Sequence, residues 1–329
     1  MKTLFQTSYL PVFCLVLLGL WIPINLEGQR GRPQMIKVEA NTAFSWQVGR
    51  TDYVMPWEGE DRHFLVYIPN SYQHNQSVPL VYMFHGSGGT GHKMYNITGW
   101  KAKADQEGFI VVFPTGSKYS ITDLGRQQTK WNSVGLINAV APGTELKDDV
   151  SLLRALHNSI TKSLKIDAQR VYATGFSNGA AFVSSRLLPE VSDLFAALAT
   201  GSGLFRIAYD IPAGPIPVYT IIGSRDPKII ERDQVAIPER AADWVNHPVY
   251  GPNIDNAISS LDLDPDFREN HQPGKQSTIR FDSENGGNGQ YVLTVIADMK
   301  HVYPNGKNNP QGYDAAQRFW RFFERHVKE

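Results

Sequence analysis

Apolar residues in this chain fall into short continuous runs set between longer stretches of helical spacing. His63-Phe64-Leu65-Val66-Tyr67-Ile68-Pro69, Val78 to Phe84 and Phe109 to Pro114 read as strands. The last two are apolar almost throughout, as expected of parallel strands buried on both faces. Val150, Leu153, Leu156, Ile160 and Leu164 then recur at helical spacing. Asp148 and Asp149 open that helix, where carboxylates suit the positive end of its dipole. Residues 170–174, 195–200, 218–222 and 291–297 read as further strands. An amphipathic helix over 311–329 closes the chain, with Phe319, Trp320, Phe322 and Phe323 on its apolar face. Before His63 the pattern is short strands and turns. A β-rich start followed by alternating β and α predicts an α/β fold, a mostly parallel doubly wound sheet with helices on both faces. Sites in such sheets form at the carboxyl ends of the strands. Residues 231–288 are polar, rich in Pro and Gly and poorly periodic, and read as an irregular insertion.

The first 28 residues differ from the rest. Lys2 is the only early charge, and a mostly apolar stretch runs from Leu10 to Ile24. Its strongest part, Val12 to Ile22, is short for a bilayer span of about 20 residues. Residues 1–28 therefore read as a secretory signal peptide, 29–35 as a linker and 36–329 as a single domain acting outside the cytoplasm, with no stable membrane anchor. Cys14 is the only cysteine, and Phe13 before it argues against lipidation. A processed chain would have neither disulfides nor thiol chemistry. Lys and Arg number 32 against 32 Asp and Glu, so nothing points to nucleic acid.

Chemistry enters at Gly175-Phe176-Ser177-Asn178-Gly179, a G-x-S-x-G pentapeptide between the strand 170–174 and a small-residue helix from Asn178 that is expected to end at Pro189. A serine on so sharp a turn is exposed at the sheet edge, and the following N–H points into the same space. A serine hydroxyl needs a histidine base oriented by a carboxylate, and in hydrolases built on such an elbow these follow in the order Ser, Asp or Glu, His. Asp226 lies in the loop after strand 218–222, with Glu231 and Asp233 as competitors. His301 lies in the loop after strand 291–297, whereas His247 and His271 fall in the insertion and His326 on the last helix. The Gly-rich run His85-Gly86-Ser87-Gly88-Gly89-Thr90-Gly91 follows strand 78–84 and can offer the Ser87 N–H to an oxyanion beside the Asn178 N–H. It lacks the ending of a phosphate-binding loop, and His85 and His92 have no carboxylate cluster to complete a metal site. No cofactor or metal is expected. His85 reads as a structural anchor of the loop.

With these residues placed, the chain resembles the secreted esterases of carbohydrate esterase family one, which include feruloyl esterases, acetylxylan esterases and polyhydroxybutyrate depolymerase-like enzymes. The linked motifs are His85-Gly86-Ser87-Gly88-Gly89, Trp131-Asn132, Asp148-Asp149-Val150, Arg170 to Gly179, Gly223-Ser224-Arg225-Asp226-Pro227 and His301-Val302-Tyr303-Pro304. The resemblance implies an α/β-hydrolase fold, ester cleavage, and a Ser177, Asp226, His301 triad. It puts Trp131 near the substrate, where the plainer reading is a core aromatic, and makes Tyr303 a second candidate for substrate contact. Two departures stand out: Ser87 replaces a frequent cysteine, and Tyr303 stands where the family usually has Trp. The expected partner is an ester-bearing polysaccharide or small ester. A polyhydroxyalkanoate depolymerase and a non-catalytic binding protein of the same fold are the alternatives. The sequence does not indicate an oligomeric state.

Overall fold

The computed structural model describes residues 35–283 and 286–328. The expected leader over 1–28, and all but the last residue of the 29–35 linker, lie outside the described residues. Eleven strands form one sheet. Six are mutually parallel and sit at its centre: Ile110–Pro114, Val78–Phe84, Ile166–Phe176, Ala197–Gly201, Val218–Gly223 and Gln290–Ile296, in that spatial order. On one flank Glu60–Ile68 and Gly49–Trp57 pair antiparallel, with the two-residue strand Ile36–Lys37 at the edge. On the other flank Gln276–Ser283 and Leu263–Gln272 form an antiparallel hairpin. The mostly parallel, doubly wound sheet is therefore the architecture that the apolar runs predicted.

Successive side chains on a strand point to opposite faces, and the core divides accordingly. Leu80, Tyr82 and Phe84 pack with helix Asp149–Ser163 and the helical stretch after Ser177. Val81 and Met83 pack on the other face with Trp100 of helix Trp100–Glu107 and with Phe319 and Phe323 of helix Ala315–Phe323. That last helix is shorter than the 311–329 expected, because the Asp314 side chain caps it by accepting from the Gln317 N–H at 3.1 Å.

Two expectations fail. Residues 231–288 are not irregular: they hold helix Gly251–Leu261 and the edge hairpin. Strand Leu263–Gln272 is an outer strand exposed along most of its length, so it needs no apolar run and tolerates Pro265. The helix after Ser177 does not stop at Pro189. It widens into a π turn over Val183–Leu187, where the Leu188 N–H donates to the Val183 carbonyl, and continues to Val191. The wider turn absorbs the donor that a proline cannot supply. A small ribbon, Ser117–Ile121 with Arg126–Lys130, has no counterpart in the sequence reading.

Candidate active site

Strand Ile166–Phe176 ends at Ser177, whose backbone takes φ 54° and ψ −116°. A non-glycine residue pays on the order of 1–3 kcal/mol for such a conformation. The turn is held by Ser177 N–H donating to the Gly201 carbonyl and Ala181 N–H donating to the Ser177 carbonyl, both 2.8 Å. Its glycines are required by packing. A Cβ on Gly179 would fall 2.5 Å from the carbonyl oxygens of His85 and Phe84, and one on Gly175 would strike the Gly179 backbone.

Asp226 and His301, the expected acid and base, stand on the next loops out. Asp226 follows strand Val218–Gly223 and caps helix Pro227–Asp233, with Oδ1 accepting from the Lys228 N–H at 3.0 Å. His301 follows strand Gln290–Ile296. The two loops are joined by Arg225 N–H to the Met299 carbonyl at 3.0 Å and Asp298 N–H to Ser224 Oγ at 2.9 Å. His301 Nδ1 lies 2.9 and 2.8 Å from the two Asp226 oxygens, and Nε2 lies 3.0 Å from Ser177 Oγ. Asp226 is 0% exposed. Burial alone would raise its carboxyl, but the hydrogen bond and charge of His301 outweigh that, and it is held below the usual carboxylate range. An ionised Asp226 accepts from Nδ1–H, which leaves Nε2 free to take the serine proton. Among the competing residues, Asp233 pairs with Arg206 at 2.8 Å and Arg232 at 3.0 Å, and Glu231 faces Lys228. His247 bonds its own loop through Val249 N–H at 3.1 Å.

The Gly-rich loop lies beside the elbow. His85 Nε2 accepts from the Gly116 N–H at 3.0 Å, so Nδ1 carries the proton and donates to the Gly86 carbonyl at 2.7 Å. The ring is fully buried, and burial pushes its pKa down to about 4. His85 is thus a neutral strut of the loop. Gly88 N–H donates to Thr129 of the ribbon at 2.8 Å, and Gly89 N–H closes the turn on Gly86 at 2.9 Å. Among the described residues the backbone N–H groups of Ser87 and Asn178 have no hydrogen-bond partner, and both residues line the cavity at Ser177.

Two residues expected at the substrate are elsewhere. Trp131 is 1% exposed, packs on Phe84 and Phe182, and donates its indole N–H to the His85 carbonyl at 3.0 Å. Tyr303 is 2% exposed, and its hydroxyl accepts from Trp100 Nε1 at 2.8 Å. Both are interior braces, because their rings are large enough to fill the space behind the two loops. Asp149 also does more than favour a helix dipole. It is buried, takes Arg62 at 2.5 Å, and accepts from the Asn132 N–H at 2.7 Å, fixing the loop that carries Trp131. The sequence reading passed over Arg206, Lys228 and Arg232, which line the cavity. The one available signal was the four-residue spacing of Lys228 and Arg232 just after Asp226. Among the described residues there is no cluster of three His, Cys, Asp or Glu that could hold a metal, and no helix is long and apolar enough to cross a membrane.

The Esterase PHB depolymerase family model matches residues 63–227, which contain the elbow, the Gly-rich loop and Asp226. The chain is 26% identical over 201 residues to a bifunctional acetylxylan esterase/xylanase of Neocallimastix patriciarum, a match covering 58% of this chain and 27% of the relative. It is 27% identical over 172 residues to feruloyl esterase B of Piromyces equi, covering 50% and 29%. A poly(3-hydroxyalkanoate) depolymerase C of Paucimonas lemoignei is 30% identical over 129 residues, covering 39% and 28%. The chain thus spans under a third of the length of each of these three relatives. The fold is shared with an acetyl xylan esterase from Aspergillus awamori, at TM-score 0.53, 16% identity and 80% and 94% coverage. It is shared too with an S-formylglutathione hydrolase from Agrobacterium tumefaciens, at TM-score 0.55, 13% identity and 88% and 99% coverage.

Proposed function

The chain belongs to the Esterase PHB depolymerase family, and from that premise we propose that it is a serine hydrolase of carboxylic esters. The observation that carries the reading is the unbroken chain of contacts from Asp226 through His301 to Ser177 Oγ, at 2.8 and 3.0 Å. In this reading Ser177 Oγ attacks the ester carbonyl while His301 Nε2 takes its proton. Asp226 holds the ring and stabilises the imidazolium. The Ser87 and Asn178 N–H groups receive the developing oxyanion. His301 then returns the proton to the leaving alcohol, and a water activated by the same ring releases the acid from Ser177.

The proposed substrates are acetyl or feruloyl groups on polysaccharides, the chemistry named for the relatives from Neocallimastix and Piromyces. The cavity at Ser177, of about 220 Å³ and partly lined by Arg206, Lys228 and Arg232, suits a hydrated sugar ester better than an apolar polyester. We further propose that residues 1–28 direct export, 29–35 link and 36–329 catalyse. The apolar stretch from Leu10 to Ile24 supports export.

The test is hydrolysis of p-nitrophenyl acetate, methyl ferulate and hydroxybutyrate oligomers in parallel, with fluorophosphonate labelling mapped to Ser177. Ser177→Ala is expected to lower kcat by a factor on the order of 10⁴–10⁶ without unfolding the chain. Full activity in that variant would refute the assignment. Absence of both turnover and labelling would favour a binding protein. Preference for the hydroxybutyrate oligomers would move the substrate to polyesters.

A further inference from the structure

The cavity at Ser177 has a charge pattern that ester cleavage alone does not require. Three cations, Arg206, Lys228 and Arg232, line it together with the reacting residues, and no carboxylate does. The chain as a whole carries 32 basic and 32 acidic residues, so this is a local enrichment. The acids nearest these cations offset them only in part. Asp233 is shared between Arg206 and Arg232 and is itself only 7% exposed, while Glu231 faces Lys228 loosely at 3.6 Å. Asp226 brings the acids to three, but it is 0% exposed behind His301, so the charged side chains that line the cavity itself are the three cations.

Helix stability does not explain the spacing of two of them. Lys228 and Arg232 stand four apart on helix Pro227–Asp233, a spacing that puts like charges on one face and weakens a helix. Arg206 is held out toward the cavity by an anchored loop: Phe205 before it is buried, and its carbonyl accepts from Asn256 Nδ2 at 3.0 Å. Cations fixed around a concave site draw and orient anions, and do so most at low salt.

Resting on the ester-cleaving reading of this same site, we propose that Arg206, Lys228 and Arg232 form a subsite for a negatively charged group of the substrate, a carboxylate or sulfate borne close to the scissile ester. Acylated uronic acids, acylated sulfated sugars and monoesters of dicarboxylic acids share that chemistry.

The test compares matched esters. Mono-p-nitrophenyl adipate against p-nitrophenyl hexanoate puts the charge on the acyl half. An O-acetylated methyl glucuronide against the corresponding glucoside puts it on the alcohol half, and an O-acetylated sugar sulfate against its unsulfated parent tests the other anion. In at least one pair the anionic member is expected to be preferred roughly ten-fold in kcat/KM, since each of three partly exposed cations contributes a factor of about two. The preference should shrink several-fold at about 0.5 M salt, where charges are screened beyond about 4 Å. Lys228→Gln, at a side chain 68% exposed, should lower it about two-fold, and the Lys228→Gln/Arg232→Gln pair further. Turnover of neutral esters with no anionic preference in any pair would overturn the subsite alone, as would a preference unchanged by salt and by both variants. No turnover of any ester, with no fluorophosphonate labelling at Ser177, would overturn the esterase reading and the subsite with it.

Discussion

Asn178 and Trp131 are joined twice: Asn178 Oδ1 accepts from the Trp131 backbone N–H at 2.8 Å, and Asn178 Nδ2 donates to the Trp131 carbonyl at 3.2 Å. The residue proposed to present one oxyanion N–H is therefore clamped by its side chain to the segment after the small ribbon. The Trp131 indole in turn donates to the His85 carbonyl, at the base of the Gly-rich loop that carries the other proposed donor. One interior tryptophan thus sets the spacing between the two proposed donors.

Removing the clamp should cost rate more than binding. In Asn178→Ala the backbone donor survives, but its position is no longer fixed, and misplacement of a catalytic group by about 1 Å can cost about 10²-fold. We expect kcat to fall roughly 10- to 100-fold with KM changed little. Steady-state kinetics on a p-nitrophenyl ester checks it, and a variant with only its KM raised would contradict the positioning role.

Tyr303 offers the complementary case. Its hydroxyl meets Trp100 Nε1 in the core and faces no cavity residue. Tyr303→Phe should leave the indole N–H buried without a partner and cost about 1–3 kcal/mol of stability. KM for small esters should not change. Denaturant melts and Michaelis constants measured together separate this brace from a substrate contact, which would shift KM at constant stability.

Most of this fold was legible because its central strands are buried on both faces. Val78–Phe84 and Gln290–Ile296 are apolar for that reason, and the elbow and loop residues follow from where those strands end. The chain order of Ser177, Asp226 and His301 was readable for the same reason. Side-chain direction was not. Trp131 and Tyr303 lie in loops bordering the site, and the sequence carries no signal that their rings turn inward. The edge strand Leu263–Gln272 was hidden because exposure on both faces removes the apolar pattern. Helix Gly251–Leu261 did carry a signal, Ile254, Ala257 and Leu261 at helical spacing, but the polar stretches on either side masked it.

His85 predicts an acid sensitivity. The ring is neutral and fully buried, with Nε2 accepting from Gly116, and its pKa is lowered from 6.5 to about 4. The unfolded chain therefore binds this proton more readily than the folded one. Its contribution to stability is fully present above about pH 6.5 and is lost as pH falls toward 4, by about 3 kcal/mol at pH 4. His157 and His326, lowered to about 4 mainly by burial, act in the same direction. Urea unfolding between pH 7 and 4 should show stability falling across that window. A flat profile would mean that His85 accepts a proton without losing its place.

Asp226 gives the sharpest test of the proposed triad, because its two duties can be told apart. It orients His301, and its Oδ1 also caps helix Pro227–Asp233 by accepting from Lys228 N–H. Asp226→Asn keeps a cap, since an asparagine oxygen accepts nearly as well. Toward His301, however, the amide lacks the charge that holds the Nδ1–H tautomer and stabilises the imidazolium. We expect kcat to fall by a factor on the order of 10⁴ with stability lowered by no more than about 1 kcal/mol. Asp226→Ala should lose both, adding the loss of the cap, about 1 kcal/mol, to a similar kinetic defect. Kinetics and thermal melts on the two variants together decide the matter. An Asn variant that melts like the parent and turns over at more than about a tenth of its rate would remove Asp226 from the chemistry and leave it as a helix cap.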